Sequence, residues 1–100
     1  MTGEKLELQR LDKWLWHARM TRTRSLAAKL VAAGFVRING QRVSDPARLV
    51  RCGDVLTLAL RHTTRVVKVA GFDARRGSAA VAQLLFVDVG RDNEGAPGVD

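Results

Sequence analysis

Three cations crowd one short stretch of this chain: Arg22, Arg24 and Lys29 surround Thr23, a residue suited to cap a helix that begins at Arg24. The start of a helix presents unpaired backbone N–H groups and the positive end of the helix dipole, so cationic side chains added there make a place for a phosphate. The charge is part of a longer bias. From Arg10 to Arg51 there are ten basic residues (10, 13, 19, 22, 24, 29, 37, 42, 48 and 51) against two acids, Asp12 and Asp45. Solvation of an exposed helix face would explain any one of them as well, but it does not explain the concentration. Asn39-Gly40-Gln41-Arg42 adds two amides and a guanidinium at a hairpin tip, where Gln41 and Arg42 can reach ribose or base edges while Asn39 and Gly40 answer to turn geometry.

Catalysis has no comparable footing. His17 and His62 come from unlike segments, Cys52 is the single cysteine and has no base beside it, and no His, Cys and carboxylate group shows metal-ligand spacing. A Gly-rich phosphate loop of the Walker or dinucleotide kind does not occur. Asp12, between Arg10 and Lys13, reads as an ion-pairing partner that orients Arg10 or caps its helix rather than as an acid or base. These observations predict a binding protein with no enzymatic activity, no cofactor and no metal. One cysteine allows no intrachain disulfide, residues 1–9 lack the apolar core of a secretory signal, and no apolar run reaches membrane-spanning length. A cytoplasmic protein without a membrane partner is the expectation.

Such side chains need a frame to hold them. With 100 residues the chain has room for one small domain, and 17 Lys plus Arg against 10 Asp plus Glu, a formal charge of +7, point to polyanions as partners. Only four of the cations are Lys, and the planar arginine fork, which grips phosphate with two bonds and stacks on bases, favours nucleic acid. Leu11, Trp14, Leu15 and Ala18 fall at helical spacing within Arg10–Arg19, one apolar stripe with Lys13 and Arg19 off it. Trp14 belongs to the core. Trp16, about 200° round an ideal helix from Trp14, either fills a second contact or stacks on a nucleotide. A second helix is predicted from Arg24 to about Ala33, with Leu26, Ala27, Leu30 and Val31 as its buried stripe and Gly34 as its stop. Beyond Gly34 the period becomes two, with Val36 and Ile38 on one side, Arg37 on the other, and Asn39-Gly40 as the turn. Ser44-Asp45-Pro46 reads as a turn, Val55–Leu60 as a strand buried on both faces or nearly so, and Arg65–Val69 and Leu84–Val89 as two further strands. The domain plan is a short N-terminal arm over 1–9, a domain over 10–89 and a flexible acidic tail over 90–100, which carries Asp92, Glu94 and Asp100.

Arg10-Leu11-Asp12-Lys13-Trp14-Leu15, Thr23-Arg24-Ser25-Leu26-Ala27, Gly34-Phe35-Val36-Arg37-Ile38-Asn39-Gly40 and Gly53-Asp54-Val55-Leu56, in this order and spacing, resemble an S4 RNA-binding domain. Lys13-Trp14-Leu15-Trp16 together with Thr23-Arg24-Ser25 is similar to the fifteen-kilodalton heat-shock protein family of bacteria, stand-alone S4 domains. The resemblance implies an α+β, S4-type (alpha-L) fold: two N-terminal helices packed on a small, mostly antiparallel sheet of four to five strands. It implies ribosomal RNA and the large ribosomal subunit as partners, in particular free large subunits still carrying a nascent chain on tRNA, in recycling under stress. Carried over position by position, the RNA-facing set falls on Arg10, Lys13, Arg19, Arg22, Thr23, Arg24, Ser25, Lys29, Gln41 and Arg42. A monomer is expected. Two other readings stay open on sequence: a targeting module for a separate RNA-modifying enzyme, and a protein that coats DNA without sequence preference.

Overall fold

A computed structural model describes residues 8–91; residues 1–7 of the N-terminal arm and 92–100 of the acidic tail lie outside the described residues. The apolar stripe of the first helix dictates where it lies. In α1 (Leu11–His17) and just beyond it, Leu11, Trp14, Leu15 and Ala18 are buried, and the Trp14 indole N–H donates to the Gly71 carbonyl at 2.9 Å. A buried Trp needs such an acceptor, and this one ties the helix to the far side of the domain.

The second helix, α2 (Arg24–Ala32), starts and stops where its capping residues require. Thr23 Oγ1 accepts the Leu26 N–H at 3.1 Å. At the other end Gly34 takes φ +85°, its N–H donates to Val31 O at 2.9 Å, and Phe35 N–H reaches back to Leu30 O at 3.2 Å. This double closure needs a residue tolerant of left-handed backbone, and glycine meets the need without strain. Only part of the expected apolar stripe is buried. Ala27 and Val31 are fully covered, but Leu26 is 47% exposed and Leu30 only partly buried. The helix packs through one i, i+4 pair of small side chains, which turns Leu26, about 100° away, towards solvent.

Five strands follow in one antiparallel sheet of order β3-β2-β5-β6-β7. They are β2 (Val36–Ile38), β3 (Gln41–Val43), β5 (Val55–Ala59), β6 (Thr64–Val69) and β7 (Phe86–Arg91). The β2–β3 turn has Asn39 at φ +51° and Gly40 at φ +85°, the type I′ geometry that the Asn-Gly pair predicts. Period-two alternation sends Val36, Ile38, Leu56, Leu58, Val67 and Val69 into the core. The expectation that Val55–Leu60 is covered on both faces is not met: Val55 and Thr57 are half-buried and Ala59 is exposed. Both helices lie on one face of the sheet, so alternate residues of β5 meet solvent. Between β6 and β7 the register slips at Val66/Val67, leaving Val89 without a partner, and β7 continues through Gly90 and Arg91 opposite Val66 and Arg65. The acidic tail therefore gives its first two residues to the sheet.

Three short elements have no signature in the sequence. Gln9–Arg10 (β1) pairs antiparallel with Leu49–Val50 (β4), and Ala79–Ala82 forms a single helical turn, α3, capped by Ser78 Oγ on Val81 N–H at 3.3 Å. The first pair matters for α1. It brings the carbonyls of Pro46 and Arg48 to the N–H groups of Asp12 and Leu11, at 3.1 and 2.8 Å, so the helix start is satisfied by chain from the middle of the sequence.

His17 is buried at 1% exposure, and its Nδ1 has no protein partner. Burial first, and the nearby Lys13 charge second, hold its pKa below the usual 6.5. The folded state thus binds this proton less readily than the unfolded chain does. The His17 contribution to stability is whole above pH 6.5 and declines as the pH falls from there towards the depressed folded-state value. Thermal melts at pH 7.5 and 5.5 should differ for the wild type and differ less for His17→Gln. Trp14→Ala should cost about 3–5 kcal/mol in urea unfolding, with Trp16→Ala costing well under half of that.

Candidate nucleic-acid interface

Asp12 organises the basic face. Its carboxylate is buried, with a side-chain exposure of 5%, and accepts two hydrogen bonds from Arg10, from Nε at 3.1 Å and Nη2 at 3.0 Å. The same carboxylate stands 3.7 Å from Arg24 Nε. Of the two roles the sequence allowed Asp12, orienting Arg10 is the one observed; α1 has no side-chain cap. One acid thereby fixes two guanidinium groups, one before α1 and one in the first turn of α2, both with outward faces still accessible. The Arg10 pKa is raised, by the hydrogen bond and charge of Asp12, so it remains a cation under all working conditions.

The other expected contacts distribute around this pair. Arg22, Thr23 and Ser25 are exposed at the start of α2, where Thr23 also serves as the cap. Lys13 projects half-buried from α1. Lys29 lies one turn further along α2 and, with Arg22, borders a hollow beside the helix. Gln41 and Arg42 are exposed on β3, past the opposite end of α2, and the Arg42 side chain lies over Gly34, within 3.4 Å of where a Cβ would stand. Arg19 differs from the rest. It takes a left-handed backbone, φ +62°, and its guanidinium donates to Gly77 O from Nε at 3.2 Å and Nη2 at 2.9 Å. Its charge is accessible, but its position is set by the loop before α3.

Three arginines outside the expected set join the surface. Arg37 pairs across β2–β3 with Arg42, which doubles the positive charge at that edge, and its alternation with Val36 and Ile38 already placed it on the outer side. Arg61, in the β5–β6 turn, borders the same hollow as Arg22 and Lys29, a neighbourhood that no local pattern announces. Arg76 donates to Trp16 O at 3.1 Å and lies with its guanidinium carbon 5.8 Å from the Trp16 ring centroid. Trp16 therefore fills a second contact, half-buried between Arg76 and His17. The hairpin tip is also braced: Asn39 Oδ1 accepts the Val55 N–H at 2.9 Å, and its Nδ2 donates to Asp54 at 3.1 Å. Among the described residues no group of three or more His, Cys, Asp or Glu could hold a metal, and no helix is long and apolar enough to cross a membrane.

The S4 domain family matches residues 9–56, the stretch that carries Arg10, Asp12, α2 and the β2–β3 hairpin. Heat shock protein 15 of Escherichia coli K12 is 40% identical over 85 residues, 85% of this chain and 63% of that protein. Small ribosomal subunit protein uS4 of Xanthobacter autotrophicus is 33% identical over 85 residues, covering 83% of this chain and 40% of that protein. Among solved structures, the trimeric structure of Vibrio cholerae Heat Shock Protein 15 superposes with a TM-score of 0.78 at 40% identity, over 83% of each chain. The chain thus spans about three-fifths of the length of the curated Escherichia coli relative.

Coupling through Asp12 has a measurable signature. Asp12→Asn should lower the melting temperature at 50 mM salt, and the gap to the wild type should shrink towards about 1 M salt, because the arginines it pairs with are partly exposed and screened. Identical melts for the two proteins would show that Asp12 does not tie Arg10 and Arg24 together.

Proposed function

The chain belongs to the heat shock protein 15 family of S4-domain proteins, and we propose that it binds structured ribosomal RNA through the face built on Asp12. The target we infer is the large ribosomal subunit, particularly one that still carries a nascent chain on tRNA, with rescue or recycling under stress as the outcome. The observation that carries the reading is the arrangement of Arg10 and Arg24 on one buried carboxylate, beside Arg22 and the exposed start of α2. A pre-oriented guanidinium loses little freedom on meeting a phosphate, and a helix start adds N–H donors aimed the same way. Arg37, Gln41 and Arg42 extend the contact beyond the other end of α2.

In this reading the arrangement supplies affinity and register. A-form RNA displays its backbone and 2′-hydroxyls across a shallow groove, which suits a rigid face of separated cations better than the deep reading of a B-form major groove does. The binding unit in this reading is the monomer, located in the cytoplasm. The ribosomal relative, a small-subunit protein, supports a ribosomal target in kind while leaving the subunit to experiment.

Sucrose-gradient sedimentation of a lysate, probed for this protein, should place it with large subunits, and Arg22→Glu combined with Arg24→Glu should return it to the top of the gradient. Migration with the small subunit would reassign the target, and residence at the top for the wild type would remove the ribosomal reading. If the face engages six to ten phosphates, affinity for rRNA fragments falls by roughly 10³–10⁵ between 50 and 200 mM salt. Sedimentation equilibrium of the purified chain tests the monomer against the trimer seen for the Vibrio cholerae relative.

A further inference from the structure

Beside α2 lies a hollow of about 380 Å³ whose floor is apolar and whose rim is cationic. Leu26, Leu30, Phe35 and Leu60 form the floor, and Arg22, Lys29 and Arg61 stand around it. No acidic residue lines it, and among the described residues none of the three cations is in an ion pair. Two of its floor residues are exposed well beyond what a core edge needs: Phe35 at 52% and Leu26 at 47%.

The Phe35 ring is placed by backbone on both sides. Its N–H closes the end of α2 on Leu30 O at 3.2 Å, and its carbonyl accepts the Ala59 N–H at 2.9 Å. The structural account of an apolar residue at this position is a contact with the last turn of the helix, here Leu30. That contact does not call for an aromatic ring left half in water, nor for three cations around it that have no ion-pair partner among the described residues.

An occupant that answers this lining has a flat apolar body and negative charge close on more than one side. A partner helix seats apolar anchors at i, i+4 and i+7 along a groove, whereas here four apolar residues share the lining with three cations. An unstacked nucleotide meets the requirement, since its base has a face for the ring and its flanking phosphates have cations to meet. The hollow is also continuous with the proposed RNA face, because Arg22 belongs to both.

We propose that this hollow seats one looped-out or bulged base of the bound RNA on Phe35, with the adjoining phosphates held by Arg22, Lys29 and Arg61. The inference rests on the RNA-binding reading above and gives that binding a preference for an interrupted helix over a continuous one.

The test compares the full chain on two RNA hairpins that differ by a single bulged 2-aminopurine nucleotide. The wild type should bind the bulged hairpin more tightly and change the 2-aminopurine fluorescence on binding. Phe35→Ser should lose about five- to 150-fold in affinity for the bulged hairpin, the range of one base–aromatic stack, with little change for the paired one. Phe35→Trp should keep the preference, which separates stacking from damage to the fold. Equal affinity of the wild type for both hairpins, or a Phe35→Ser protein that keeps the preference, overturns the inference while leaving the RNA face intact. Absence of wild-type binding to either hairpin removes the underlying reading. Self-association that Phe35→Ser abolishes, together with indifference to the bulge, would assign the hollow to a second copy of the chain.

Discussion

A carboxylate withdrawn from water has to be compensated, and the position of Asp12 makes that requirement the organiser of the basic face. Its two partners come from different elements, Arg10 from β1 and Arg24 from α2. Satisfying the acid therefore fixes how the start of α1 stands against the start of α2, and the cations that satisfy it are the ones proposed to meet RNA. Positive charges gathered on one face repel each other, and a shared acid at their centre offsets part of that repulsion. Stability and binding are thereby asked of the same residues.

The remaining architecture serves to keep that face rigid. Trp14 links α1 to Gly71, Arg19 and Arg76 link the end of α1 to the loop before α3, and the sheet supplies a wall of alternating aliphatic side chains under both helices. Among the described residues no helix covers the opposite sheet face, and Val87 and Val89 stay about half exposed on β7. The unpaired Val89 adds local twist to this outermost strand, a feature that makes an edge a poorer template for pairing with another chain.

Much of this was legible in the residues because the signals were local. The helix stripe of α1, the Thr23 cap, the Gly34 stop and the Asn39-Gly40 turn each act within a few positions, and each occurs where its local chemistry places it. Asp12 was legible as the partner of Arg10, two residues away, but not as the partner of Arg24, because that pairing exists only after two helices meet. Leu26 departs from its expected burial for a related reason: periodicity identifies an apolar stripe without saying which part of it the core can reach. The β1–β4 pair and α3, at two residues a strand and four residues in the helix, are too short to show a period at all. The hollow at Phe35 escaped because its walls come from α2 and from a turn some 25 positions further along, at Leu60 and Arg61.

The β1–β4 pair bears on the order in which the molecule assembles. The N–H groups of Leu11 and Asp12 find their acceptors at Arg48 and Pro46, and the Trp14 indole finds its own at Gly71. A chain leaving the ribosome can therefore form α2 early, since its caps at Thr23 and Phe35 are local, whereas α1 stays incompletely bonded until residues 46–50 have emerged and unanchored until Gly71 follows. Arg10, among the first described residues to be synthesised, is among the last to reach its working position. A protein built this way completes its proposed RNA-binding face only once most of its own domain has been made.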